Sequence, residues 1–429
     1  MFICVNDIIK KMKIGILTFA FVPNFGANLQ ALSTYYYFKN RGDEPILINW
    51  TPNDFQRILD AQKSSNVQSA SHFEFVKAHM NSTNSCTTSK EVAEEIERNN
   101  IDAIVIGSDA VLQHHPLLAR IQFPAKTFFY VNRMNSSVLY PNPFWGEFIP
   151  FLKREIPIVM MSGSNQSSKY KYIWGATRVR MSKAIDRFSY FSVRDDWTRK
   201  MIVHITKGKV CPPVTPDPVF AFNYNCQSLL KSKEQILNKY HLPDKYILFS
   251  LLRRDLVDIN WLRELKQIAH SKGMTLVALP MPNGVVFEHP FDMEIECPLS
   301  PLDWFALIKY SCGYIGQNMH PTVVSLANSV PVFCFDNYIR PYFYRLFANE
   351  KASKVYHILS EFGHSENRCS ISYRREQIPS PDYVFSKLLN FDKFKCGQIA
   401  DKYLNNYLEM MSNIEKIFLA SCDKNERKE

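Results

Sequence analysis

Short apolar runs alternate with helix-spaced segments twice along this chain, once on each side of a proline-rich stretch at residues 210–218. That alternation is the strongest constraint on the fold. Strands that each lead into a helix pair in parallel, because the helix is the crossover that returns the chain to the same end of the sheet. Before the proline-rich stretch the strand-like runs are residues 14–21, 44–50, 101–106, 156–161 and 187–193; after it they are 246–252, 274–279, 313–316 and 330–335. Helical spacing falls between them at 91–98, 198–205, 231–240, 260–271, 301–309 and 321–328, with two more helical stretches after 384. The expected fold class is α/β, with two doubly wound Rossmann-like domains facing across a cleft. The expected boundaries are 12–220, 221–390 and a helical tail over 391–429. Residues 51–90 are polar and Ser/Asn-rich, with a helical patch at 73–80, and are expected to run over the surface as a lid.

The 429 residues suffice for two or three real cores. The formal net charge of +10 favours anionic partners such as phosphates, acidic glycans or lipid headgroups. The cations are dispersed rather than run together, so no nucleic-acid partner is expected. Ten cysteines are scattered with no CxxC, which points to neither a zinc site nor a disulfide framework. His114 and His115 are adjacent, without partners at ligand spacing, so no metal is expected. The first eleven residues, MFICVNDIIKK, do not read as a signal peptide. No apolar run approaches the ~20 residues that span a bilayer. The expected location is cytoplasmic, with peripheral contact at the inner face of the cell membrane.

Open parallel sheets bind ligands beyond the carboxyl ends of their strands. Polar groups collect at several such ends here: Asn24 to Asn28, Ser108-Asp109, Arg194-Asp195, Arg253-Arg254, and His320. After the first run, Pro23, Asn24 and Gly26 break the strand, and Leu29, Leu32 and Tyr36 resume at helical spacing. This corner suits an anion or polar ligand at a helix N-terminus. It equally suits a plain β–α turn in which Gly26 supplies backbone freedom. There is no GxGxxG and no Lys-Ser/Thr after the glycine, so neither a dinucleotide fingerprint nor a P-loop is matched. Ser108-Asp109 would also serve as a helix cap.

Taken in chain order, these segments resemble the polysaccharide pyruvyl transferase family. The resemblance rests on Asn24-Phe25-Gly26-Ala27-Asn28-Leu29-Gln30-Ala31-Leu32, close to the family's NYGAxLQAxAL. It continues through Ile106-Gly107-Ser108-Asp109, Phe191-Ser192-Val193-Arg194-Asp195-Asp196, Asp217-Pro218, Ser300-Pro301, Met319-His320 and Val330-Pro331-Val332, covering Met12 to about Asp336. The resemblance implies a glycosyltransferase-B-like fold. It implies transfer of the pyruvyl group of phosphoenolpyruvate to two hydroxyls of a galactose-type hexose, giving a ketal. The acceptor would be a capsule or exopolysaccharide or its lipid-linked oligosaccharide precursor. Phosphoenolpyruvate is then a co-substrate, and no further cofactor is implied.

The family's strand-end arginine falls on Arg194 and its histidine on His320. The chemistry adds further candidates: Arg194, Arg253 and Arg254 for the donor's carboxylate and phosphate, and His320 with Asp195 as acid/base groups. Asn24, Asn28, Gln30, Ser108 and Asp109, all in the N-terminal domain, are expected on the acceptor side. The chain departs from the family at Asn318, at Pro321 and at Ala110-Val111-Leu112. A nucleotide-sugar glycosyltransferase, with Arg253 and Arg254 on a diphosphate, and a sugar-binding relative without turnover are the two alternatives.

Overall fold

The apolar runs become strands of two parallel sheets, each wrapped by helices. The computed structural model describes residues 11–122, 130–166, 168–252, 256–336, 353–371 and 378–426. The first sheet comprises β1 (Lys13–Leu17), β2 (Glu44–Leu47), β3 (Ala103–Asp109), β4 (Ile158–Gly163) and β5 (Tyr190–Val193), in the order β2-β1-β3-β4-β5. Every pairing is parallel, with Ile14 opposite Ala103 and Ile104 opposite Ile158. The second sheet comprises β6 (Tyr246–Ser250), β7 (Thr275–Ala278), β8 (Met293–Glu294), β9 (Gly313–Gly316), β10 (Val332–Asp336) and β11 (Arg368–Ser370). Its order is β8-β7-β6-β9-β10-β11, again all parallel. The two outer strands, β8 and β11, have two and three residues and are too short to show a sequence period.

This is a pair of doubly wound α/β units. The strand order reverses between β1 and β3 in the first sheet and between β6 and β9 in the second. At such reversals the flanking loops turn to opposite faces and leave a crevice at the strand ends.

Eight helices place that crevice: α1 (Phe25–Asn40), α2 (Asn53–Ser65), α3 (Val67–His79), α4 (Asp196–Thr206), α5 (Pro301–Tyr310), α6 (Met319–Ala327), α7 (Lys354–Glu361) and α8 (Lys393–Glu426). Helix α1 starts where Asn24 caps it by accepting from the Ala27 N–H. Thirteen of its sixteen residues are buried, so it has no solvated stripe. A helix apolar or satisfied all round belongs inside the protein, and α1 lies between the two units. Ser33 Oγ donates to the Pro218 carbonyl (2.7 Å), and Phe25 stacks on Trp304 of α5 with ring centroids 5.0 Å apart. One hydrophobic core therefore runs from Ile14 and Val105 of the first sheet to Leu248 and Val332 of the second.

The 34-residue α8 leaves the second unit and returns to the first. Its Tyr407, Met410, Ile414 and Phe418 are buried, Phe418 beside Phe38. Glu415 accepts from the Tyr37 hydroxyl (2.8 Å) and pairs with Arg41. Among the described residues no helix is long and apolar enough to cross a membrane.

The polar excursion at 51–90 is a strut rather than a lid. Gln68 of α3 exchanges two hydrogen bonds with the Leu299 backbone of the second unit, at 2.6 and 3.0 Å. The His72 ring sits between Asn28 Oδ1 (2.6 Å) and the Pro282 carbonyl (3.0 Å). Burial pushes the His72 pKa down to about 4, so it stays neutral at pH 7.

Phe38 is fully buried between the first sheet and α8. Phe38→Ala is expected to cost about 3–5 kcal/mol of stability, measured by urea denaturation. It should also raise the rate of proteolytic cleavage within α8. A loss below about 1 kcal/mol would mean that α8 is not held by this face.

Candidate functional site

A cavity of about 410 Å³ opens where the two strand-order reversals face each other. Asn24, Gly26 and Asp109 line it from the first unit; Ser250, Gln317, Asn318 and His320 line it from the second. Arg194 and Lys354 are also in its wall, and both line a neighbouring cavity of about 660 Å³ between α4, α7 and α8. Met319 is the third residue shared between the two spaces.

His320 is the second residue of α6. The turn before it is tight: Asn318 has φ 85°, a region that residues with a Cβ seldom adopt. Pro321 follows in the first turn, where its missing N–H would have no intrahelical partner anyway. The departures at 318 and 321 thus fit this strand–turn–helix corner.

The imidazole lies directly on the Cα of Gly26. A methyl group at that position would sit 1.9 Å from His320 Cγ and 2.2 Å from Nδ1. Gly26 is helical, so its role is space rather than backbone freedom. The strongest sequence signature in the first unit is therefore one wall of the histidine site in the second. His320 Nε2 is buried and has no hydrogen-bond partner among the described residues. Burial lowers the His320 pKa; Asp217 and Asp109 oppose this, while the Arg194 and Lys354 charges reinforce it.

Arg194 follows β5 and is almost wholly buried. Its Nη1 pairs with Asp217 Oδ2 at 2.7 Å, and the same oxygen accepts from Gln30 Nε2 at 2.6 Å. Asp217 Oδ1 accepts from the Val219 N–H. The Nε of Arg194 is buried without a partner among the described residues. Asp109 ends β3 with φ 86°, and its Oδ1 accepts from the Ala110 N–H.

The structure brings Arg194, His320, Asp109 and Asn24 to one cavity. Four of the other expected groups lie elsewhere. Asn28 is fully buried and spans the Ala20 carbonyl (2.8 Å) and His72, so it shapes the loop rather than facing a ligand. Gln30 is buried behind Arg194, where it orients Asp217. Ser108 is 1% exposed and its Oγ is buried. Asp195 lines the larger cavity but caps α4: Oδ1 accepts from the Thr198 N–H and hydroxyl, and Oδ2 from Ser164 Oγ. Arg253 and Arg254 lie outside the described residues. His114 accepts from the Tyr140 N–H (3.0 Å) in a buried setting, which accounts for it structurally.

Lys354, the first residue of α7, is the functional candidate that the sequence does not single out. Only Ser353, with Val355, Ile358 and Leu359 after it, reads there as a capped helix. Desolvation and the neighbouring Arg194 charge pull the Lys354 pKa down to about 8.

Gly26→Ala separates space from backbone freedom. Alanine should gain about 1 kcal/mol in helix propensity, but its methyl must expel the imidazole. The expected result is a His320 ring resonance that titrates closer to the ordinary imidazole value by NMR. An unchanged His320 titration in a stabilised protein would show that the glycine does not hold the ring.

A sequence model of the family described as polysaccharide pyruvyl transferase matches residues 24–338. A search of curated protein sequences found no significant match. Among solved structures, the chain is similar to Arabidopsis thaliana UGT89C1 complexed with UDP-L-rhamnose, at 8% identity over 96% of this chain and 100% of that one, TM-score 0.48. It is also similar to the UDP-GlcNAc 2-epimerase of Methanocaldococcus jannaschii, at 10% identity over 92% and 98%, TM-score 0.45.

Proposed function

The chain belongs to the polysaccharide pyruvyl transferase family, and we propose that it moves the pyruvyl group of phosphoenolpyruvate onto two hydroxyls of one galactose-type hexose. The acceptor is part of a surface polysaccharide or its lipid-linked precursor, and the product is a cyclic ketal. The observation that carries this reading is the meeting of Arg194 and His320, from opposite units, at one cavity.

Phosphoenolpyruvate offers a carboxylate and a phosphate, both suited to a planar guanidinium. Asp217 holds one edge of Arg194 and leaves the remaining N–H groups for the donor. His320 is depressed below the ordinary imidazole range, so at pH 7 it is neutral and able to accept a proton. It takes that proton from the sugar hydroxyl as the oxygen adds to C2. Asp109 opposes the depression and would stabilise the imidazolium that forms. Asn24 faces the acceptor hydroxyls. Asp195 acts at one remove, fixing α4 and so the backbone that delivers Arg194.

The direct test is phosphate release with ketal formation, detected by NMR, from phosphoenolpyruvate and free or lipid-linked galactosides. His320→Ala should lower kcat by about 10²–10⁴ while phosphoenolpyruvate affinity, by calorimetry, stays within threefold. Arg194→Lys keeps the charge but loses the fork, and should raise KM for phosphoenolpyruvate at least tenfold. Arg194→Ala is less informative, because it strands a buried Asp217 carboxylate at a cost of about 3–5 kcal/mol. Binding of a nucleoside diphosphate but not phosphoenolpyruvate would replace this reading with a glycosyltransferase.

A further inference from the structure

Lys354 occupies a position that stability alone does not explain. It opens a helix, where the backbone already presents partial positive charge and a cation is disfavoured. It is half-buried beside the Arg194 guanidinium. No carboxylate pairs with it among the described residues, although three cations around the cavities are paired: Arg194 with Asp217, Arg199 with Asp196 and Arg368 with Asp336. Its backbone is fixed, since Ser353 caps α7 by accepting from the Tyr356 N–H while donating to Asp336. An unpaired lysine at a helix start, on the wall between two cavities, breaks several local rules at once. Such violations without a stabilising gain mark working sites.

We propose that Lys354 is the proton donor to the methylene carbon of phosphoenolpyruvate, opposite His320 as the acceptor. This assignment rests on the pyruvyl-transfer reading and divides its acid and base between two residues. The groups facing the amine are Arg194 and Asp195 from the β5–α4 junction, Asp109 from β3, Asp217 from the segment between the units, and His320 from α6. Desolvation and then Arg194 depress its pKa, and the three carboxylates partly restore it, so near pH 7 the amine is protonated yet a competent acid. The environments of Lys354 and His320 leave one charged and the other neutral, the division that acid–base catalysis needs.

The proton and electron count closes. In the first half, a sugar hydroxyl forms a C–O bond to C2 and gives its proton to His320. The π pair of the C2–C3 double bond takes a proton from Lys354 and becomes the third C–H bond of the methyl group. In the second half, the other hydroxyl forms a C–O bond to C2 as the bond from C2 to the phosphate oxygen breaks. Phosphate leaves with that electron pair and carries away the second hydroxyl's proton. The proton on His320 then returns to Lys354, directly or through water, and both residues are restored with no redox change.

Lys354→Arg distinguishes a proton donor from a charge that only anchors the donor substrate. Arginine keeps the cation but does not release a proton near neutral pH. The expected result is a fall in kcat of about 10²–10⁴, phosphoenolpyruvate affinity by calorimetry within threefold of wild type, and loss of the alkaline limb near pH 8 from the kcat/KM profile. Retained kcat with the alkaline limb still in place would overturn the assignment. Lys354→Met should lose turnover equally and weaken phosphoenolpyruvate binding as well; full turnover in that variant would also overturn it. Wild-type protein that neither binds phosphoenolpyruvate nor forms a ketal would defeat the pyruvyl-transfer reading itself, and this inference with it.

Discussion

The buried pair between Arg194 and Asp217 is the interaction on which the cleft depends. One carboxylate joins three parts of the chain: the end of β5 through Arg194, helix α1 through Gln30, and the first turn beyond the proline-rich stretch through the Val219 N–H. A buried ion pair adds little net stability, because removing two charges from water costs about what their attraction returns. Its value is positional: the pair fixes a guanidinium at the edge of a cavity that the two units build together. The proline-rich stretch is accordingly more than a linker. Val214 bridges Val193 at the sheet edge, and Asp217-Pro218 opens a short 3-10 turn that packs under α1.

Charges around the cavities fall into two classes. Those on the outer wall are exposed and mutually paired, as Asp196 is with Arg199 and Lys200, and pairs of that kind contribute little. Those at the centre are desolvated and differ in what compensates them. Arg194 has Asp217; Lys354 has no paired carboxylate among the described residues; His320 has an unpartnered Nε2. Leaving such groups buried without partners is costly to the protein.

Much of the fold was legible because it is written in periodicity. The buried parallel strands are continuous apolar runs, and each observed central strand lies within or beside one. The meeting of Arg194 with His320 was legible only through the order of short motifs, since nothing local to either residue says that they share a cavity. What could not be read is long-range. Asn28 and Gln30 look like ligand-facing amides in a polar loop, but α1 has no solvated face, so they turn inward to satisfy His72 and Asp217. Gly26 looks like a turn glycine, yet its missing Cβ makes room for a ring some 300 residues away. Lys354 carries no motif, because its significance comes from neighbours on other elements.

The same long-range packing makes this a preformed site. Helix α1 is buried by both units, α3 is hydrogen-bonded to loops of the second unit, and α8 returns from the second unit to the first. A single core runs through all three contacts, so opening the cleft would expose apolar surface at about 25 cal/mol per Å². Separating the units far enough to admit a ligand from the side would therefore cost many kcal/mol, whereas entry along the strand ends costs none of that burial. Arg194, Lys354 and His320 are accordingly held at fixed spacing before substrate arrives. For the ketal-forming transfer proposed above, that fixed spacing would turn two improbable encounters of hydroxyl and carbon into one bound geometry.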